Sequence, residues 1–181
     1  LSYTTFEQTM ENFKDNGDTI NFDVTVENTG DVAGKDVVQV YYTPPYTNGG
    51  IEKASVNLIE FGKTGLLEPG KTETLSFEIA KEDMASYDAD GIKIEGGGYI
   101  LEAGEYNISI RSDSHNVIAE ETFEVADDIL YTEGRSSDEA VPVNQIQDYS
   151  RGDFVQLSRA DGFANYREAC GPLKPEQFEM S

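Results

Sequence analysis

Carboxylates dominate the chemistry-bearing residues of this 181-residue chain, with 35 Asp and Glu against 13 Lys and Arg, one His and one Cys. Glycoside hydrolysis and much acid–base catalysis need two carboxylates held in distinct environments. The acidic residues here instead alternate outward along strand-like runs or sit in turns, as Glu120, Glu121 and Glu124 do. That pattern reads as a solvated face. Asp88, Asp90 and Gly91 look like the start of a calcium loop, but the later oxygen ligands and the glutamate at the twelfth position are missing. An Asp-Gly turn is the expectation there. Zinc has only His115 and Cys170 to draw on.

Nucleophilic catalysis meets the same shortage. His115 lies among turn residues with no orienting partner, and Cys170 has no motif around it. Gly96-Gly97-Gly98 is followed by neither a lysine nor a helix start, so it is no phosphate cradle. No catalytic, metal or cofactor-binding residue is assigned from these patterns. Arg151-Gly152-Asp153 is an adhesion tripeptide short enough to recur by chance, and Asn107-Ile108-Ser109 is a glycosylation sequon on an expected strand. Aromatic rings could stack on sugars, and Tyr41, Tyr42 and Tyr46 lie near a proline loop, with Tyr87 and Tyr99 in other loops. Without tryptophan, core or interdomain packing is the better reading. Tyr41 and Tyr46 are kept as candidate carbohydrate or interdomain contacts.

Net charge is −22. Nucleic acid and anionic membranes recruit basic patches, so both are poor partners. A single cysteine rules out an internal disulfide, and no apolar run approaches a membrane span. The first residue is Leu1 rather than Met, which suggests an excised piece whose compartment is not legible.

The elements that must position any site are strands. Ile20, Phe22, Val24 and Val26 alternate with Asn21, Asp23, Thr25 and Glu27, which places the apolar set on one strand face. Asn28-Thr29-Gly30-Asp31 breaks the run, and Val37, Val38, Val40, Tyr41 and Tyr42 form the next. Further strands are expected at residues 3–6, 56–61, 75–79, 99–101, 106–110 and 122–125, with one helical turn at 81–87. Tyr106, Ile108 and Ile110 share a face just after a glycine turn, the placement of a tyrosine corner. About seven short strands separated by turns predict an all-β, immunoglobulin/fibronectin type III-like sandwich over residues 1–126. Residues 127–181 lose the period and form a long irregular extension. The sandwich segment holds 8 basic and 24 acidic side chains, the extension 5 and 11.

Several runs together resemble the fibronectin type III-like domain of glycoside hydrolase family 3 enzymes. These are Leu1-Ser2-Tyr3-Thr4-Thr5-Phe6, the stretch from Glu27-Asn28-Thr29-Gly30 to Val40-Tyr41, Glu60-Phe61-Gly62-Lys63, Leu67-Glu68-Pro69-Gly70-Lys71 and Glu102-Ala103-Gly104-Glu105-Tyr106. The resemblance covers residues 1–125 and implies an accessory sandwich of a β-glucosidase. In that family the catalytic carboxylates belong to other domains, so no catalytic role passes to a residue here, and Tyr106 is carried over only as a structural corner. Asp148-Tyr149-Ser150-Arg151-Gly152-Asp153 and Leu157-Ser158-Arg159-Ala160-Asp161 are similar to segments of circularly permuted members, in which this stretch leads into the barrel domain. The implied partners are the catalytic domains of the same parent chain, with loops 43–50 and 91–98 as candidates to reach them. A carbohydrate-binding module and an adhesin-like surface domain are the competing readings.

Overall fold

The computed structural model describes residues 3–143 and 155–171. Arg151-Gly152-Asp153, Leu1 and Ser2 lie outside the described residues.

Period-two hydrophobicity builds two facing antiparallel sheets. Strands β1 (Phe6–Asp15), β2 (Thr19–Asn28) and β5 (Thr72–Ala80) form one sheet in the order β1-β2-β5. Strands β3 (Val37–Thr43), β4 (Asn57–Lys63), β8 (Gly104–Arg111) and β9 (Val117–Val125) form the other in the order β4-β3-β8-β9. The seven strands of these two sheets are the predicted sandwich. The runs 20–26 and 37–42 are neighbours in sequence but lie in opposite sheets, so their apolar faces meet across the core rather than side by side. Ile20, Val24, Val26, Val38, Val40, Ile108 and Ile110 are all fully buried there.

Several boundaries differ from expectation, among them the helical turn expected at 81–87, which ends at Met84 ahead of a strand at Ser86–Asp88. The first strand starts at Phe6, not Tyr3, and Tyr3 is 80% exposed. Phe6 and Met10 turn inward with Gln8 between them, and this polar interruption hides the strand's period. A bulge between Glu11 and Lys14, with Asn12 at φ 57°, breaks it again. The last sandwich strand begins at Val117 rather than at 122. A further strand, β10 (Ile129–Tyr131), lies beyond residue 126 and pairs with β7 (Gly98–Leu101). With β6 (Ser86–Asp88), which follows a 3-10 turn at Lys81–Met84, these make a small third sheet in the order β10-β7-β6.

The Glu27-Asn28-Thr29-Gly30 run acquires a physical reason. Asn28 is fully buried, and both ends of its amide are used. Its Nδ2 donates to the carbonyls of Val32 (2.9 Å) and Leu67 (2.8 Å), while its Oδ1 accepts from Thr4 (2.8 Å) and the Gly30 N–H (3.1 Å). Asn28 therefore ties the N-terminal segment, the β2–β3 turn and the loop before β5 into one knot. Gly30 fits because a Cβ there would lie 2.8 Å from the Thr5 nitrogen. Tyr106 lies 1% exposed in the core with its ring stacked on Phe123 at 5.4 Å, and the Glu102 backbone N–H hydrogen-bonds its hydroxyl. Burial pushes the phenol well above the ordinary tyrosine range.

Candidate functional site at the loop end

The loops after β3 and between β6 and β7 are too rich in Pro, Gly and Asp to pair as strands, so both leave the sheets at one end of the sandwich. They are joined there by a small apolar cluster of Ile51, Ile94 and Ile100. Around it stands a charged network. Lys53, whose side chain is 5% exposed, pairs with Glu102. Lys93 reaches the same carboxylate at 3.1 Å and Asp128 at 2.7 Å. Asp128 also accepts the Ala103 N–H at 2.7 Å. The hydrogen bond from Lys93 and then that from Ala103 hold the Asp128 carboxyl below its ordinary range. Gly104 is pinned against this hub, since a Cβ there would meet Pro45 at 3.0 Å and its φ is 134°.

Asp88 shows what the Asp-Gly motif is for. Its carboxylate is fully buried and accepts the backbone N–H groups of Lys93 (2.7 Å), Ile92 (2.9 Å) and Ile94 (2.9 Å). Burial alone would raise its pKa. The hydrogen bonds from Lys93, Ile94, Ile92 and Gly91 outweigh that, and the group stays below the usual carboxylate range. The oxygens that a calcium ion would need are used on the loop's own backbone, and among the described residues no three metal-ligating side chains gather.

The extension returns to this end of the molecule. Glu52 accepts the Ser158 hydroxyl at 2.6 Å and the Arg159 N–H at 3.1 Å, and the Tyr46 hydroxyl donates to it at 3.2 Å. The Arg159 guanidinium lies 4.1 Å above the Tyr46 ring and donates to the Lys53 carbonyl at 3.3 Å. Asn48 donates to Asp161 at 2.8 Å. Desolvation works against the Glu52 charge, but the Ser158, Arg159 and Tyr46 contacts prevail and its pKa is lowered. A second strap lies upstream. Arg135 sits 3.8 Å over the Tyr99 ring, pairs with Asp138 at 2.8 Å, and is followed by Ser136, whose N–H donates to Glu82 at 3.0 Å.

Of the candidate aromatic residues, Tyr46 stands at this end beneath Arg159. Tyr41 is elsewhere, 8% exposed on β3, with its hydroxyl on Gln39 at 2.9 Å and Arg111 5.9 Å from its ring. Ile51, just after the 43–50 loop, packs with Ile94 of the 91–98 loop. His115 occupies an exposed hairpin turn capped by Asp113, Cys170 is exposed, and the Asn107 side chain donates to Glu120 at 3.1 Å. Sequence reasoning missed Glu52 and Lys53, which are isolated residues of common types, and took in Glu102, Ser158 and Arg159 only inside runs of the resemblance, with no role at this site. Tyr46 and the loops 43–50 and 91–98 pointed to the place.

Known proteins resemble this chain over its sandwich and, in one relative, into the extension. A family model for the fibronectin type III-like domain matches residues 36–114. A β-glucosidase from Kluyveromyces marxianus is 38% identical over 132 residues, spanning 72% of this chain and 15% of its own. Beta-glucosidase A of Butyrivibrio fibrisolvens is 30% identical over 91% of this chain and 22% of its own. That alignment must run beyond β10 into the extension. Among solved structures, β-glucosidase 3B from Thermotoga neapolitana superposes with a TM-score of 0.63 at 37% identity, over 72% of this chain and 17% of its own. A Paenibacillus barengoltzii β-glucosidase gives 0.65 at 33% identity, over 72% and 15%. The chain thus spans between about a seventh and a fifth of the length of these relatives.

Proposed function

We propose that this chain, whose sandwich is a fibronectin type III-like domain of the glycoside hydrolase family 3 β-glucosidase kind, serves a longer enzyme as a non-catalytic brace between its catalytic domains. The observation that carries this reading is coverage. β-Glucosidases contain a segment like this one as 11–22% of their length, which leaves most of each chain to other work. Residues 1–126 act as the rigid body and residues 127–181 as the connector toward the next domain. The straps at Arg135–Ser136 and Ser158–Arg159 support that division of labour. They hold Arg135–Ser136 and Ser158–Arg159 against the loops of the sandwich. Tyr106 acts as the structural corner that locks the β7–β8 turn to the core. The parent hydrolyses β-glucosides with retention, using two carboxylates that lie in other domains.

The test is an activity comparison. The 181-residue chain is expected to turn over no aryl β-glucoside, and deleting residues 1–126 from the parent is expected to abolish soluble activity. Hydrolysis by the chain alone would overturn the proposal. Calorimetric titration with a glycan panel examines the carbohydrate-binding alternative, for which Tyr46→Ala is the diagnostic variant.

A further inference from the structure

The two outward faces of the sandwich differ in chemistry. On the β1-β2-β5 sheet the outward positions include Glu7, Glu11, Asp23, Glu27 and Glu78, separated by Thr and Ser and joined by Lys14 alone among cations. Glu11 stands directly across from Asp23 and Glu7 from Glu27. Like charges paired this way are tolerated where water screens them. That face is built for solvent.

On the opposite sheet the β8–β9 half repeats this pattern, with exposed Glu105 directly across from exposed Glu124, but the β3–β4 half does not. Register places Val37 beside Lys63, Gln39 beside Phe61 and Tyr41 beside Leu58, so these residues form a continuous strip along β3 and β4. Phe61 is 64% exposed and Leu58 52%. The apolar strip is bordered by Lys63, which makes no ion pair among the described residues, and by Arg111 beside Tyr41. An unpaired cation beside exposed aromatic and aliphatic side chains on one sheet face describes half of an interface.

We propose that the outer β3–β4 face is the surface by which this domain docks on a catalytic domain of its own longer chain. The assignment rests on the accessory reading above. The occupant presents an apolar centre for Phe61 and Leu58 and a carboxylate for Lys63. A carboxylate there suits a cation left free in a molecule of net charge −22. A domain of the same chain is the occupant because the similar β-glucosidases carry such a segment within chains several times its length.

Hydroxyl-radical footprinting of the 181-residue chain and of the full-length parent decides the matter. Oxidation of Phe61 and Leu58 is expected to fall several-fold in the parent, while that of the outward β1–β2 residues stays unchanged. In the parent, Phe61→Glu combined with Leu58→Glu is expected to shorten the half-life of activity on heating, and Thr25→Glu to leave it unaltered. Equal oxidation of Phe61 in both proteins overturns the face assignment even if the chain alone is inactive, so the accessory reading fails separately. Protection of Phe61 in the isolated chain, together with dimeric elution, overturns it in favour of a second copy.

Discussion

Ile108 and Glu52 stand for two regions held together by different means. Ile108 is fully buried, its strand pairs on both sides, and its neighbours are other apolar side chains from facing sheets. Glu52 is exposed and gathers a segment 106 residues away in the chain through directed hydrogen bonds. Burial is non-directional and shared over many residues, so the sandwich interior stands or falls as a unit. The loop end depends on a few charged atoms in fixed geometry, and each link there opens by itself.

Substitution in the interior gives the largest effect. Ile108→Ala is expected to cost about 3 kcal/mol, since it removes buried methylene groups and leaves a cavity between rigid sheets. Urea unfolding followed by fluorescence and by circular dichroism should show one transition shifted equally in both. A local change with an unaltered midpoint would mean that the interior is less cooperative than its packing implies.

Asp88→Ala comes next and sharpens the contrast. It strips the acceptor from the N–H groups of Ile92, Lys93 and Ile94, at roughly 2 kcal/mol for buried donors left unpaired. Hydrogen exchange is expected to accelerate across 89–97 while the amides of β2 and β8 keep their protection. Equal acceleration in β8 would merge the two regions into one cooperative unit.

Legibility in the sequence follows the same division. Ile20–Val26 and Leu75–Ile79 were readable because one side of each strand meets the core and the other meets water, which writes a period of two into the residue types. The shared inward face of Tyr106, Ile108 and Ile110 was readable from the same period. β1 was misplaced because Gln8 occupies an inward position between Phe6 and Met10, where its Nε2 donates to Asp36 at 2.7 Å in the loop before β3. β10 was missed because three residues are too short to show a period. At the loop end Tyr46 and the Asp-Gly turn at Asp88 were legible, but the polar links to the extension were not. Nothing about Glu52 distinguishes it among 35 acidic residues until the chain has folded and brought Ser158 and Arg159 to it.

The smallest effect tests the independence of the two regions most directly. Glu52→Gln keeps the shape of the side chain but removes its charge, so unfolding of the sandwich should shift by no more than about 0.5 kcal/mol. The docked segment should loosen, because the Ser158 and Arg159 bonds to a carboxylate are charge-assisted. Acid should do the same without mutation. Glu52 titrates below its ordinary value when the segment is docked, so docking draws stability from its ionised form. That contribution is complete above the free glutamate range and is lost as pH falls through the depressed value. Cys170, the single thiol and an exposed one, accepts a spin label on the docked segment. Its mobility should rise as the pH drops below the ordinary glutamate range while the sandwich stays folded, and Glu52→Gln should abolish the pH step. A step that persists in Glu52→Gln would assign acid release to another carboxylate and remove Glu52 as the group that holds the connector.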